Sequence, residues 1–356
     1  MAALPSIEAT SPGQALEVRQ FLAGIFGRSE DAYFLSAPVF AWKSFAARPG
    51  WPEPSRSYVI RYRGRIASHG CVWPFTLLTA AGRVSALQII DWGAAGDVMP
   101  GAGALLRRQI VSRLEVGIGV GGSPDARRVM PRDGYIDRAA YRSLALVVRP
   151  WQQLRRTWSL PVPKRFARLL RNTLWSCQGW WRRRRQPEGW RVEPVAVFDE
   201  SMVAQPEAAR PFIGCARSAA LLNFILDYPG FTVKGARLFN RDRVMGHFLW
   251  CHLQGQSRII DFQVNSPEPA DWGDAALAAT AAVLARGEAE ACELAVFLSL
   301  PLAIQAFEDL GYRVRKSEPL FVRDPGNRLD PRLPLHITAI EFDGFYLHSP
   351  DSPFLT

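Results

Sequence analysis

Arg63-Gly64-Arg65-Ile66-Ala67-Ser68-His69 and Arg241-Asp242-Arg243-Val244-Met245-Gly246-His247 follow one pattern, a short basic turn running into a strand that carries a histidine at the same step. Working outward, the pair is preceded by Pro49-Gly50-Trp51 in one case and Pro229-Gly230-Phe231 in the other, with Trp42-Lys43-Ser44-Phe45 and Leu222-Asn223-Phe224-Ile225 before them. It is followed by Ile89-Ile90-Asp91-Trp92 and Ile259-Ile260-Asp261-Phe262, and later by Gly134-Tyr135 and Gly311-Tyr312. Four ordered matches at an offset of roughly 170 to 180 residues imply duplication of a whole domain, because solenoid repeats have periods of only about 20–50 residues. Two questions follow: what one copy does, and whether both still do it.

Within the first copy the periodicity predicts a helix over Ala15–Phe26, a hairpin made of Ser57–Tyr62 and residues 66–75, and a strand over residues 84–92. A glycine-rich stretch then leads to a helix over residues 104–114, a short strand to Val120, and a helix over residues 123–132 capped by Ser123. The second copy repeats this order, with helices over residues 271–286 and 301–310 around a strand over residues 293–299. Residues 336–347 alternate like one further strand that completes a sheet. The fold class is therefore α/β, with residues 1–148 and 193–356 as the two domains and residues 149–192 as a connector.

Composition narrows the function classes. The 356 residues suffice for two domains, and no apolar run reaches the 18 or so residues of a membrane span. The N-terminus lacks a signal-peptide pattern, so a cytoplasmic location is expected. The five cysteines make no metal-binding spacing, and no metal site is read from them. The net charge of +10 is unevenly spread: residues 149–191 hold twelve Lys or Arg against Glu188 alone, which gives +11 and leaves −1 for everything else. The two copies are nearly neutral, so nucleic acid is not the expected partner.

The stretch Val98-Met99-Pro100-Gly101-Ala102-Gly103, after a strand and opening a helix, is suited to an anion, since glycines permit close backbone approach and the first N–H groups of a helix point outward. Together with the closing Gly134-Tyr135 and the run Ala303 to Tyr312, it makes the chain resemble the Gcn5-related N-acetyltransferases (GNAT) in tandem, over roughly residues 15–145 and 195–325. The resemblance implies two domains that each hold a mixed, mostly antiparallel sheet flanked by helices. It implies acetyl-CoA, or another acyl-CoA, held by Met99, Gly101, Ala102, Gly103 and Ala104, with no metal. The implied activity is acyl transfer to an amine, with an amino sugar or envelope precursor of exopolysaccharide synthesis as the acceptor class. The chain departs from the family pattern where Val98 replaces a Gln or Arg, where residues 271–282 lack Gly-x-Gly, and where Met130 and Phe307 stand in place of a general-acid tyrosine. The first copy is thus expected to be catalytic and the second degenerate. A non-catalytic binding or assembly protein and an aminoacyl-tRNA-dependent transferase are the rival readings.

Asp91, at a central strand end, is the candidate general base; the alternative is that Asp91 and Asp261 both turn or cap that strand. His69 and His247 suggest a shared hydrogen bond more than a shared reaction. Trp92, Ser123 and Tyr135 are candidate substrate contacts, with helix capping as the alternative for Ser123.

In the connector, Phe166, Leu169, Leu170, Leu174, Cys177 and Trp181 fall on one face of a helix at ~100° per residue, opposite Lys164, Arg165, Arg168 and Arg171. Six of the twelve tryptophans and the run Arg182 to Arg185 lie here too. Residues 164–185 either touch an anionic membrane at its inner face, or pack their apolar stripe on the domains while the arginines are solvated or hold an anionic ligand.

Overall fold

The computed structural model describes residues 6–156, 161–183, 187–203, 210–286, 290–346 and 354–355. The first copy runs β1 (Glu8–Ala9), α1 (Ala15–Phe26), α2 (Ala37–Ser44), β2 (Ser57–Tyr62), β3 (Arg65–Thr79), β4 (Gly82–Ala94), α3 (Ala102–Val111), β5 (Val116–Val120), α4 (Pro124–Val129) and β6 (Ile136–Val147). The connector forms α5 (Pro150–Arg155) and α6 (Val162–Arg182). The second copy runs β7 (Trp190–Val195), β8 (Gly214–Cys215), α7 (Ala219–Leu226), β9 (Val233–Asn240), β10 (Arg243–Leu253), β11 (Gln256–Val264), α8 (Pro269–Arg286), β12 (Glu293–Leu298), α9 (Pro301–Asp309) and β13 (Arg313–Arg323).

The duplication extends to irregularities of the backbone. In the first copy the β2–β3 ladder slips by one residue at Ala67, and in the second the β9–β10 ladder slips at the matching Met245. On the next ladder, Asp91 and Trp92 together face Gly70, and Ile260 is the extra residue just before Asp261. Each such bulge bends its strand and re-aims the side chains around it.

The copies share one sheet, in the order β1-β2-β3-β4-β5-β13-β6-β12-β11-β10-β9-β7, with β8 on the edge of β3. The last strand of each copy crosses to the other: β13 pairs with β5, and β6 pairs with β12, while β13 and β6 pair with each other. One apolar cluster packs α3 on the first half and another packs α8 and α9 on the second. A third, rich in aromatic rings such as Trp42, Trp73, Phe224, Tyr228 and Phe345, fills the space between the halves.

Two expectations need correction. Residues 336–346 do not form a strand: after isolated bridges at Leu335 and Thr338 they turn through the short 3-10 segments Ala339–Glu341 and Asp343–Phe345, and Leu347 lies outside the described residues. Alternation there arises because the segment threads between the two halves with Ile337, Ile340 and Phe345 buried. Of the apolar stripe of α6 only Leu169 is half-buried; the rest faces outward rather than packing on the domains, with Phe166 68%, Leu170 66% and Trp181 64% exposed.

Candidate functional site

β4 and β5 are parallel neighbours only over Ala86–Val116, Leu87–Gly117 and Gln88–Ile118. Beyond Gln88 the bulge at Asp91 and Trp92 carries β4 away from β5, so the sheet opens at the carboxyl ends of two parallel strands, the place where open α/β sheets take their ligands. α3 begins beside that opening. Gly101 precedes it at φ +81°, a left-handed conformation that favours glycine. A Cβ on Gly103 would sit 3.0 Å from the Ala94 Cβ and 3.3 Å from Trp92 Nε1, and the Trp92 indole donates to the Gly103 carbonyl at 3.1 Å. The Met99 amide donates to the Ala95 carbonyl and the Ala102 amide to the Met99 carbonyl, so both are committed to turns. The N–H groups of Gly103 and Ala104 belong to the first helical turn, which has no intrahelical acceptor. An open cleft of about 390 Å³, lined by Phe21, Ile25, Arg65, Ile66, Ala95 and Val98, adjoins this loop.

Sequence reasoning missed Arg107. It stands four residues after Gly103, hence on the same face of α3, and its guanidinium lies over the rings of Trp92 (5.0 Å) and Tyr135 (5.3 Å). One amino group is held by Asp133, but Nε and Nη1 are buried without a hydrogen-bond partner. A guanidinium remains charged even where burial lowers its pKa, so Arg107 keeps two buried cationic donors beside Trp92 and Tyr135. The i, i+4 spacing from Gly103 was the available signal. Tyr135 is buried against Gly117, and burial pushes its hydroxyl up to about 12, so it remains protonated. Ser123 caps α4, accepting from the Ala126 amide at 3.2 Å.

Asp91 takes φ +49° at the bulge, and its carboxylate pairs with the Nζ of Lys43 on α2. The side chains are 3% and 0% exposed, so the charge of Asp91 is already balanced inside the protein. Lys43 also donates to the Phe34 carbonyl at 2.8 Å. His69 Nδ1 lies 2.9 Å from the Asp91 carbonyl and Nε2 lies 2.9 Å from Ser57 Oγ; burial pushes this imidazole down to about 4, which leaves it neutral at pH 7. In the second copy Arg217 grips Asp261 with two nitrogens at 2.9 and 2.8 Å, and His247 Nε2 lies 3.1 Å away. Burial opposes the charge on Asp261, yet Arg217 and His247 hold its carboxyl well below the ordinary carboxylate range. Each copy thus ties its bulge aspartate to a buried cation and a histidine, through different atoms.

The second opening, beyond Ile259 and Val296, is laced shut by the chain itself. Ser299 accepts from the Ile337 amide at 2.8 Å and donates to the Leu335 carbonyl at 2.6 Å. His336 Nε2 donates to the Phe262 carbonyl at 2.8 Å, and Thr338 donates to Asp261 at 2.9 Å. Leu335, His336 and Ile337 are fully buried there.

No family model matches the sequence, and no curated protein matches it. Solved structures do. A Gcn5-related N-acetyltransferase from Anabaena variabilis aligns over 90% of this chain and 72% of its own at 13% identity and a TM-score of 0.58. N-myristoyltransferase of Saccharomyces cerevisiae, solved with bound myristoyl-CoA, aligns over 96% and 84% at 13% identity and a TM-score of 0.57. A putative acetyltransferase from Pyrococcus horikoshii aligns over 96% and 98% at 11% identity and a TM-score of 0.54. At such identities the likeness concerns architecture: this chain has the α/β fold of the Gcn5-related N-acetyltransferases, in two tandem copies joined through one sheet.

Proposed function

We propose that the protein is an acyl-CoA-dependent N-acyltransferase whose first copy holds the donor and whose second copy is scaffold. The observation that carries this reading is the contrast between the two openings. The first keeps a glycine-capped helix, a close-packed Gly103 and a buried Arg107 with two uncommitted donors, whereas residues 335–338 occupy the second. Acyl-CoA would be held on the N–H groups of Gly103 and Ala104 and by Arg107, and it would supply a thioester carbonyl open to attack. Myristoyl-CoA bound to the yeast enzyme of similar architecture makes a long acyl chain as worth testing as acetyl.

In the reaction an amine nitrogen bonds to the carbonyl carbon and sheds a proton to solvent, the carbon–sulfur bond breaks, and the thiolate takes a proton. Met130 and Phe307 carry no proton to give, so solvent supplies it. With its charge engaged by Lys43, Asp91 shapes the bulge, and the amine enters as its free base. An amine on a sugar or envelope precursor is the acceptor class to screen first. The same engaged carboxylate is what favours a second reading, a binding or assembly protein without chemistry.

Calorimetric titration of acetyl-CoA and myristoyl-CoA tests the donor site, alongside a Gly101→Glu/Gly103→Glu variant checked for folding by circular dichroism. Micromolar binding at one site, lost in the variant, is expected. Absence of binding at millimolar donor would refute the transferase reading and leave the assembly role.

A further inference from the structure

α6 is turned the opposite way from a helix that covers a domain interface. At ~100° per residue, Val162, Phe166, Leu170, Leu174, Cys177 and Trp181 share one face, and Asn172, Ser176, Gly179 and Arg183 share the other. The polar face is the one that meets the protein. Asn172 is buried and donates to Gln153 at 2.7 Å, which in turn donates to the buried Glu293 at 3.1 Å. Ser176 donates to the Val148 carbonyl at 3.4 Å. Gly179 meets Gly311 backbone to backbone, since a Cβ on Gly311 would lie 2.7 Å from the Gly179 Cα. Arg182 and Arg183 donate to the Glu308 and Leu310 carbonyls at the end of α9, at 3.0 and 3.3 Å. Rolling the helix to hide its apolar stripe would break every one of these contacts, so the outward stripe is a consequence of how α6 is anchored.

The chemistry of the surroundings selects what covers the stripe. Lys164, Arg171 and Arg182 run along one border, ~120° round from its centre, and Glu188 is the only acid in a segment of net +11. A second copy would bring an equally cationic surface against it, and like charges oppose that pairing. The stripe is a single convex helical face with two tryptophans, Trp180 and Trp181, exposed at its end. Among the described residues no helix is long and apolar enough to cross a membrane. Apolar side chains flanked by cations and tryptophan are what the boundary between headgroups and acyl chains accepts.

We propose that α6 is an interfacial helix that docks the protein on an anionic lipid surface through Phe166, Leu170, Leu174 and Trp181. This does not depend on the acyl-transfer reading. The test is co-sedimentation of the full chain with vesicles of phosphatidylcholine and phosphatidylglycerol in equal parts, against phosphatidylcholine alone, for wild type and Leu170→Glu/Leu174→Glu. Binding to the anionic vesicles is expected, weaker on the neutral ones and in high salt, and lower by about tenfold or more in the variant. Because Leu170 and Leu174 are 66% and 56% exposed, the variant should keep the wild-type Tm. No sedimentation with anionic vesicles, or equal sedimentation of the variant, would overturn the proposal. A concentration-dependent dimer that the variant abolishes, without vesicle binding, would assign the stripe to a second copy and overturn it too.

Discussion

Lys43→Met tests what Asp91 is for. The substitution keeps the length of the side chain but removes the ammonium, leaving a carboxylate only 3% exposed without its counter-charge and the Phe34 carbonyl without its donor. Removing one partner of a buried ion pair costs about 3–5 kcal/mol, because the remaining charge stays buried and uncompensated. An unfolding entropy of about 2.1 cal/mol/K per residue over 356 residues gives roughly 0.75 kcal/mol/K for a sheet that unfolds as one unit, so Tm should fall by about 4–7 °C. Lys43→Met/Asp91→Asn should recover much of the loss, since both charges are gone. Urea unfolding followed by tryptophan fluorescence, with calorimetric melting, gives both numbers. A Lys43→Met cost under about 1 kcal/mol, or a double variant no more stable than the single, would refute the buried pair and return Asp91 to the role of a solvent-facing base.

Two further perturbations address the fold. A Cβ on Gly246 would lie 1.9 Å from the Gln263 carbonyl oxygen, so Gly246→Ala should cost at least the 1–3 kcal/mol typical of overpacking; denaturation showing under about 1 kcal/mol would contradict the close approach of β10 and β11. His336 is pushed down to about 4, chiefly by burial, so its neutral form favours the fold fully above its unfolded value near 6.5, and that contribution is lost as pH falls from about 6.5 to 4. The window of 2.5 units corresponds to about 3 kcal/mol. Asp343, pushed up to about 7 by burial and by Asp91, acts in the opposite direction, so the measurement compares the slope of stability against pH in wild type and His336→Gln. A shallower slope in the variant is expected, and equal slopes would count against a neutral buried imidazole.

Local elements were legible because their causes are local. Ala15–Phe26 and Ser57–Tyr62 have the predicted bounds, since apolar periodicity and turn residues specify them without reference to the rest of the chain. Ser123 was readable as a cap for the same reason, whereas α3, expected from residue 104, begins at Ala102 and takes Gly103 into its first turn. The duplication was visible in order and spacing, down to the histidines. At the site, however, a residue type does not reveal its partner. Nothing around Asp91 announces Lys43, which comes from another element, and nothing around Arg107 announces Trp92 and Tyr135. The alternation over residues 336–346 was real but meant burial between halves rather than a ladder.

By itself, then, the sequence determined many of the local elements, their repetition, the glycine stretch that precedes α3 and the concentration of charge in the connector. The tertiary structure alone decided that β6 and β13 cross between the copies, that residues 335–338 close the second opening, and that α6 shows its apolar side to the outside. The physical reason is common to all three: each is a choice among surfaces distant in sequence. For α6 the hydrogen bonds of Asn172, Arg182 and Arg183 and the contact of Gly179 with Gly311 outweigh the burial that amphipathicity alone would predict.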